Sequence, residues 1–224
     1  MPLNKSVGQM YTWITHTWNT VKGECPHGCT YCYMKRFGKQ KPVRFDEKEL
    51  KTNLGSGNFI FVGSSCDMFA SDVPDLWIKE TIKHCRKFDN YYLFQTKNPG
   101  RIEGLLEQIL FPDNIRICTT IETNRWYQDV MINSPLPKKR AMDMNEIAHK
   151  GIKTYVTIEP IMDFDLEEMV YLIETCLPEQ VNIGSDSGNN NLPEPSADKI
   201  NSLISELKTF TTIDRKTNLK RLLK

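Results

Sequence analysis

The sequence predicts an α/β protein built around a parallel sheet. Three observations support this prediction: six short β-rich runs recur along the 224 residues, helical patterns separate them, and several of the runs are apolar throughout. Runs that are apolar throughout are typical of parallel strands, because helices cover both faces of a parallel sheet. Regular alternation of strands and helices indicates consecutive βα units.

Six strands are predicted from β-branched and aromatic residues bounded by turn residues. The first precedes a cysteine-rich loop, and each of the others precedes a helical pattern. The predicted strands span 11–17, 58–63, 91–97, 116–122, 153–159 and 180–184.

Five helices are predicted from apolar residues that recur at helical spacing. The helix at 165–176, for example, has acidic residues in its first turn, which favour the positive end of the helix dipole. The helix at 139–150 ends at Gly151, a residue typical of helix C-termini. The other three predicted helices span 75–88, 101–109 and 195–210.

Six βα units in this length predict an open, partial (β/α)6 TIM-like barrel, because a closed barrel needs eight units. Active sites of such folds lie at the carboxyl ends of the parallel strands. We predict one domain over 1–224, with a core at about 11–190 and a C-terminal helical extension at about 195–224.

Composition narrows the class of protein. The formal net charge is +1, so the overall charge gives no electrostatic sign of nucleic-acid binding. No apolar run is long enough to span a bilayer, and the N-terminus lacks the apolar region of a signal peptide. These features predict a cytoplasmic protein.

Three of the seven cysteines, Cys25, Cys29 and Cys32, form a C-x3-C-x2-C pattern. An odd number of cysteines argues against a disulfide framework. Three neighbouring thiolates can bind a soft metal or an iron–sulfur cluster. The remaining cysteines are predicted to be small buried residues; they are Cys66, Cys85, Cys118 and Cys176.

Zinc is one alternative for the three-cysteine loop. A structural zinc site needs four ligands, which usually come as two separated pairs. The sequence contains no second C-x2-C pair, and His27 is the nearest candidate for a fourth ligand. The alternative function is then a non-catalytic zinc-binding interaction module.

The segment GECPHGCTYCYMKRF, with Tyr31 before the last cysteine, resembles the signature of the radical S-adenosylmethionine (radical SAM) superfamily. The wider set WITHTWNTVKGECPHGCTYCYMKRF, FVGSSCDMF, LFQTKNP, TTIETN, VTIEP and NIGSDSG resembles a phage-associated radical SAM family. That family is distantly similar to spore photoproduct lyase. The resemblance spans about 11–190.

The resemblance implies a 4Fe–4S cluster held by Cys25, Cys29 and Cys32, with SAM completing the coordination of the fourth iron. An electron from the cluster would cleave SAM to methionine and a 5′-deoxyadenosyl radical, which abstracts a hydrogen atom from the substrate. A flavodoxin- or ferredoxin-type protein would supply that electron. A phage-encoded enzyme of this kind would act in the host cytoplasm.

The predicted strand ends hold the candidate SAM-binding residues. Members of the superfamily often carry a glycine-rich segment after the second strand, and here that place holds 63–67. The fourth and fifth predicted strands both end in Thr-Ile-Glu. Strand residues two apart share a face, so the threonine and the glutamate of each strand lie on the same side of the sheet. The candidates are Tyr31, Gly63, Ser64, Ser65, Asp67, Thr120, Glu122, Thr157, Glu159 and Ser185.

Several of these residues have structural alternatives. Asp67 is also typical of a helix cap or loop turn, and Glu122 and Glu159 suit structural ion pairs. Cys66 is a candidate catalytic residue that returns a hydrogen atom to the product radical, or else a semi-buried small residue. Lys97 could pair with a carboxylate or phosphate, or it could be a solvated charge at the end of a strand.

The preferred substrate class is a modified nucleoside or a DNA base, for example in the rearrangement of amino-acid-substituted thymidine. Basic residues cluster at 35–51 and 215–224, and Trp126 and Tyr127 could stack on a base. A base within a duplex would have to be flipped out. A peptide or small metabolite is the alternative substrate, although no C-terminal cysteine-rich region of the kind found in peptide-modifying members is present.

Overall fold

The computed structural model describes residues 3–224, and its helices and strands alternate along most of the chain. The strands are β1 (Asn4–Lys5), β2 (His16–Trp18), β3 (Val21–Lys22), β4 (Arg44–Phe45), β5 (Phe59–Val62), β6 (Tyr91–Thr96), β7 (Ile115–Thr120), β8 (Thr154–Ile158), β9 (Gln180–Ile183) and β10 (Thr212–Arg215). The α-helices are α1 (Asp75–Cys85), α2 (Pro99–Leu105), α3 (Gln128–Met131), α4 (Pro137–His149), α5 (Leu166–Thr175) and α6 (Ala197–Leu207). Three short 3-10 helices span Tyr33–Phe37, Glu47–Lys51 and Thr217–Arg221.

Eight of the strands form one sheet in the order β1-β2-β5-β6-β7-β8-β9-β10. All neighbours from β2 to β10 are parallel, and only β1 is antiparallel to its neighbour. The two outer strands, β1 and β10, do not pair with each other among residues 3–224, so the sheet is an open partial barrel. This confirms the predicted fold. The parallel strands end at a common edge, which we call the carboxyl edge.

The larger core lies between the sheet and the helices. Helix α6 shows how the sequence builds it: Ile200, Leu203, Ile204 and Leu207 recur at helical spacing, and all four are buried. Full burial of one such side chain stabilises the fold by about 1.5–3 kcal/mol. The helices therefore stay on the outer face because their apolar stripes pack against the sheet.

The inner face of the sheet has its own aromatic cluster, formed largely by residues predicted to be a strand. The predicted strand 11–17 forms only at β2, and the residues before it turn back under the sheet. There the Tyr11 and Trp13 rings stack with centroids 5.2 Å apart. The Tyr11 hydroxyl donates to Gln95 Oε1 at 2.9 Å. The prediction was wrong here because aromatic residues, which favour strands, also fill the open inside of a partial barrel.

The other predicted strands agree with β5 to β9, with small differences at their ends. The C-terminal extension differs more. Its first part forms α6, but Thr212–Arg215 adds a parallel strand beside β9 rather than a helix. The four scattered cysteines are buried, as predicted. The one-domain assignment stays a prediction, and the first two residues of its span 1–224 lie outside the described part.

None of the described helices combines the length and the apolar character needed to cross a bilayer.

Candidate active site

The three-cysteine loop lies at the carboxyl edge, between β3 and the 3-10 helix Tyr33–Phe37. Two tight turns shape it: the Gly28 amide donates to the Cys25 carbonyl at 3.1 Å, and the Cys32 amide donates to the Cys29 carbonyl at 3.3 Å. Gly28 has a φ of 66°, which favours glycine. One turn therefore begins at Cys25, and the other begins at Cys29 and ends at Cys32.

A buried contact between His27 and Asp67 fixes the first half of the loop. His27 Nε2 lies 2.8 Å from Asp67 Oδ2, and both side chains are nearly inaccessible to solvent. Asp67 also accepts from the Thr96 hydroxyl and from the amides of Lys97 and Phe69, each at 2.9 Å. Burial raises the pKa of Asp67, but the facing His27 outweighs this and leaves the pKa lowered. The observed contacts of Asp67 are thus structural ones, and its contact with SAM stays a prediction.

A second buried network fixes the other half of the loop. The Tyr31 hydroxyl donates to Glu122, which is fully buried just beyond β7. Glu122 also pairs with Arg140 of α4 at 2.7 Å and with Lys97 at 3.2 Å. Burial raises the pKa of Glu122, but Arg140 and Lys97 outweigh this and hold it at about 2. The carboxylate therefore carries its charge inside the protein.

The thiols of the loop are free; Cys29 is buried, and Cys25 and Cys32 are partly buried. The neighbouring Cys66 thiol lowers the pKa of Cys25, and the sulfur of Cys29 lies 3.5 Å from the Ser134 hydroxyl. Burial raises the pKa of Cys32, and negative charge on Cys25 and Cys29 raises it further. Within residues 3–224, however, no group of three or more His, Cys, Asp or Glu side chains is arranged to hold a metal ion.

Cys66 lies under the loop rather than in open solvent. It is buried and neighbours the Cys25 thiol. The preceding residues wrap around Asn19, whose Oδ1 accepts from the Ser64 hydroxyl at 3.2 Å and the Ser65 amide at 3.0 Å. Gly63 has a φ of 81°, so this turn needs glycine. The glycine-rich segment thus adjoins the cysteine loop.

The C-terminal segment occupies the ends of β8 and β9. Glu159 pairs with Lys216 Nζ at 2.5 Å and accepts from Asn218 Nδ2 at 2.9 Å. The buried Ser185 donates to the Asn218 carbonyl at 2.8 Å. A Cβ on Gly184 would lie 2.8 Å from the Glu159 carboxylate. Glu159 and Ser185 therefore lie together at the carboxyl edge, under the chain's own C-terminal residues.

The remaining candidates lie nearby or on the surface. Thr120 and Thr157 are buried at neighbouring positions of β7 and β8, and Gln95 donates to the Thr120 hydroxyl at 3.4 Å. Trp126 is 38% exposed in the loop after β7. The Tyr127 residue beside it precedes α3.

Sequence reasoning missed the side chains that hold the site together. Arg140, Ser134 and the Lys216–Asn218 segment come from helices and loops far along the chain from the residues that they contact. An arginine in an amphipathic helix gives no sign that it is buried. By sequence His27 is the nearest candidate for a fourth zinc ligand, but its ring faces Asp67 instead.

Solved structures with this fold include several enzymes. Spore photoproduct lyase complexed with dinucleoside spore photoproduct has a TM-score of 0.69 and 11% identity, covering 94% of this chain and 79% of that chain. Methylornithine synthase has a TM-score of 0.56 and 12% identity, and the match covers 88% of this chain and 63% of that chain. Streptococcus suis SuiB bound to S-adenosylmethionine has a TM-score of 0.56 and 9% identity, and the match covers 89% of this chain and 50% of that chain. At these identities the likeness shows the fold.

No curated protein matches the chain. The family model described as "Protein of unknown function (DUF5131)" matches residues 9–195, which is most of the chain. The protein therefore belongs to the DUF5131 family.

Proposed function

We propose that this protein is a radical SAM enzyme. The observation that carries the proposal is the loop of three free cysteines, in C-x3-C-x2-C spacing, at the carboxyl edge of an open parallel barrel. The fold is shared with spore photoproduct lyase, one variant of which holds AdoMet and dinucleoside spore photoproduct. The fold alone does not set the chemistry, so the thiol loop is the decisive feature.

The donor set fits a 4Fe–4S cluster. Cys25, Cys29 and Cys32 are soft ligands without disulfide partners, and cysteine thiolates are the usual ligands of such a cluster. Because the thiols are not gathered into a metal-binding group in the part described, we expect cluster binding to order their side chains. Three ligands would leave the fourth iron for SAM.

When bound, the reduced cluster would pass one electron to the SAM sulfonium, releasing methionine and a 5′-deoxyadenosyl radical. The protein's own residues have simpler roles. The His27–Asp67 and Tyr31–Glu122 contacts hold the loop at the carboxyl edge. The aromatic residues of the inner face would keep water away from a reactive intermediate.

SAM would lie across the carboxyl edge, beside the loop. We propose that the turn Gly63–Ser65 meets its amino group and that Thr120, Thr157, Glu159 and Ser185 lie along the remaining contact surface. Glu159 suits the ribose hydroxyls or the ammonium, and binding there would compete with Lys216 and Asn218. Tyr31, Asp67 and Glu122 act on this site chiefly by positioning it.

The preferred substrate is a nucleoside or DNA base. Support comes from the likeness to the lyase complexed with a dinucleoside. A peptide or small metabolite is the second candidate; methylornithine synthase, whose name gives a small metabolite as its product, has the same fold. For either substrate Cys66 is the candidate hydrogen donor, and Cys66→Ala should then retain SAM cleavage but lose product formation.

The first experiment is anaerobic purification with iron and sulfide analysis, followed by dithionite reduction with SAM and chromatography for 5′-deoxyadenosine. About four irons per chain, with 5′-deoxyadenosine formed, would support the proposal. One zinc per chain and no SAM cleavage would contradict it and favour the interaction module. Reduced flavodoxin in place of dithionite tests the proposed electron donor.

A further inference from the structure

A patch of unneutralised positive charge lies beside the cysteine loop. Between residues 25 and 45 the chain has five cationic residues and no Asp or Glu. All five are exposed, and none forms an ion pair with a residue of the described part. We call this surface the basic rim; its cations are Lys35, Arg36, Lys39, Lys41 and Arg44.

The nearest acidic residues form no ion pair with the rim cations among residues 3–224. Asp46 and Glu49 both pair with Lys22, at 2.8 Å and 2.6 Å. Two exposed glutamates, Glu24 and Glu47, flank the segment at its ends. Because the whole chain carries a net charge of only +1, the rim is a local concentration of charge rather than a general property.

Two aromatic rings are exposed within the same surface. Tyr33 is 44% exposed and Phe37 is 67% exposed, and their centroids lie 6.5 Å apart. The Arg36 guanidinium lies over the Tyr33 ring, 5.8 Å from its centroid. Exposed aromatic faces among cations are typical of surfaces that bind single-stranded nucleic acid, where phosphates meet the cations and bases stack on the rings.

The rim is attached to the cysteine loop at both ends. Its 3-10 helix begins directly after Cys32, and the Tyr33 hydroxyl donates to the Ser64 carbonyl at 2.8 Å. At the other end the Glu24 amide donates to the Lys41 carbonyl at 2.8 Å. Gly23 makes this approach possible, since a Cβ there would lie 2.5 Å from the Pro42 carbonyl oxygen. A strand bound to the rim would therefore pass the candidate active site.

We propose that the basic rim binds the backbone of a single-stranded nucleic acid and presents one of its bases to the cysteine loop. This inference rests on the proposed function and narrows its substrate from a nucleoside or DNA base to a base within a single strand. A single strand suits the geometry because its bases reach a site without being flipped from a duplex. A membrane surface suits it less, because the rim's helix has only five residues and forms no amphipathic stripe.

The test is fluorescence anisotropy with a labelled oligothymidylate of about 16 nucleotides, titrated at several salt concentrations. The rim variant combines Lys39→Ala, Lys41→Ala and Arg44→Ala. The control combines Arg86→Ala, Lys87→Ala and Lys208→Ala, which remove the same charge from loops preceding β6 and β10, at the opposite edge of the sheet. Circular dichroism checks that both variants fold.

We expect the rim variant to lose about tenfold or more in affinity and the slope of log K against log salt to become shallower by about 2. Phe37→Ala should lose about tenfold through stacking alone. The control should bind like the wild type. Equal losses in both charge variants, or equal affinity for heparin or anionic phosphatidylserine vesicles, would overturn the proposal.

Binding and radical chemistry can fail separately. A variant with Cys25→Ala, Cys29→Ala and Cys32→Ala should still bind the oligonucleotide, because the rim cations do not depend on the cluster. The rim variant should still cleave SAM in the absence of substrate. Loss of oligonucleotide binding only in the cysteine variant would contradict binding at the basic rim. Absence of SAM cleavage in the wild type would contradict only the proposed function.

Discussion

The Tyr31 hydroxyl donates to the carboxylate of Glu122, and this contact ties the cysteine loop to the end of β7. Ninety-one residues separate the two partners in the chain. Glu122 in turn pairs with Arg140, whose side chain is also fully buried. The loop is therefore held by a charge network inside the protein, and not only by its own turns.

Glu122→Gln should strongly destabilise the fold, because it leaves the Arg140 guanidinium buried without a counter-charge. We expect a loss of about 3–5 kcal/mol in the free energy of unfolding, measured by urea denaturation. Tyr31→Phe is the matched control: it removes one hydrogen bond but no charge, and should cost about 1–3 kcal/mol. Similar small losses in both variants would contradict the network.

The same carboxylate predicts how stability depends on pH. The pKa of Glu122 is about 2 in the folded protein, below its ordinary value of 4.5. Its contribution is therefore complete above pH 4.5 and is lost as the pH falls towards 2. In urea unfolding across this range, the stability gap between wild type and Glu122→Gln should narrow as the pH falls. A gap independent of pH would contradict the lowered pKa.

Iron binding should separate the two groups of cysteines. Cys25→Ala, Cys29→Ala and Cys32→Ala should each lose most of the iron after anaerobic reconstitution, because each removes a proposed ligand. Cys85→Ala, Cys118→Ala and Cys176→Ala are the controls, since these thiols are buried elsewhere. Full iron content in all three loop variants would contradict the cluster assignment.

Gly184 should tolerate no side chain, unlike Gly104. The Cβ of Gly184→Ala would lie 2.8 Å from the Glu159 carboxylate, which Lys216 holds in place, so we expect a loss of about 1–3 kcal/mol. Gly104 lies in α2, where a Cβ would have no neighbouring atom within 4 Å, so Gly104→Ala should gain about 0.5–1 kcal/mol. Thermal or urea unfolding of both variants measures the difference. An unchanged free energy of unfolding in Gly184→Ala would show that Glu159 and the C-terminal segment can move aside at little cost.

Glu159→Gln should weaken SAM binding by about tenfold while the iron content stays unchanged, since a charge-assisted hydrogen bond contributes about 1.5–3 kcal/mol. Equilibrium dialysis with labelled SAM on the reconstituted protein measures this affinity. Asp163→Asn, which removes a carboxylate paired with Arg125 and Lys199, is the control and should bind SAM normally. Unchanged affinity in Glu159→Gln would leave this residue a purely structural role with Lys216.

The sequence by itself determined the parallel α/β fold, the helices on its outer face and the position of the cysteine loop. These features follow from local rules: apolar periodicity selects strands and helices, and the carboxyl edge follows from parallel order. It also predicted that Cys85, Cys118 and Cys176 are buried, because an isolated cysteine is usually a small apolar residue.

Only the tertiary structure decided what the polar residues contact. It paired Asp67 with His27, Glu122 with Arg140, and Glu159 with Lys216. It also turned the aromatic residues before β2 into the filling of the inner face. The physical reason is that a buried charge needs a counter-charge close in space, and the folded chain brings that partner from any distance along the sequence, where no local pattern records it.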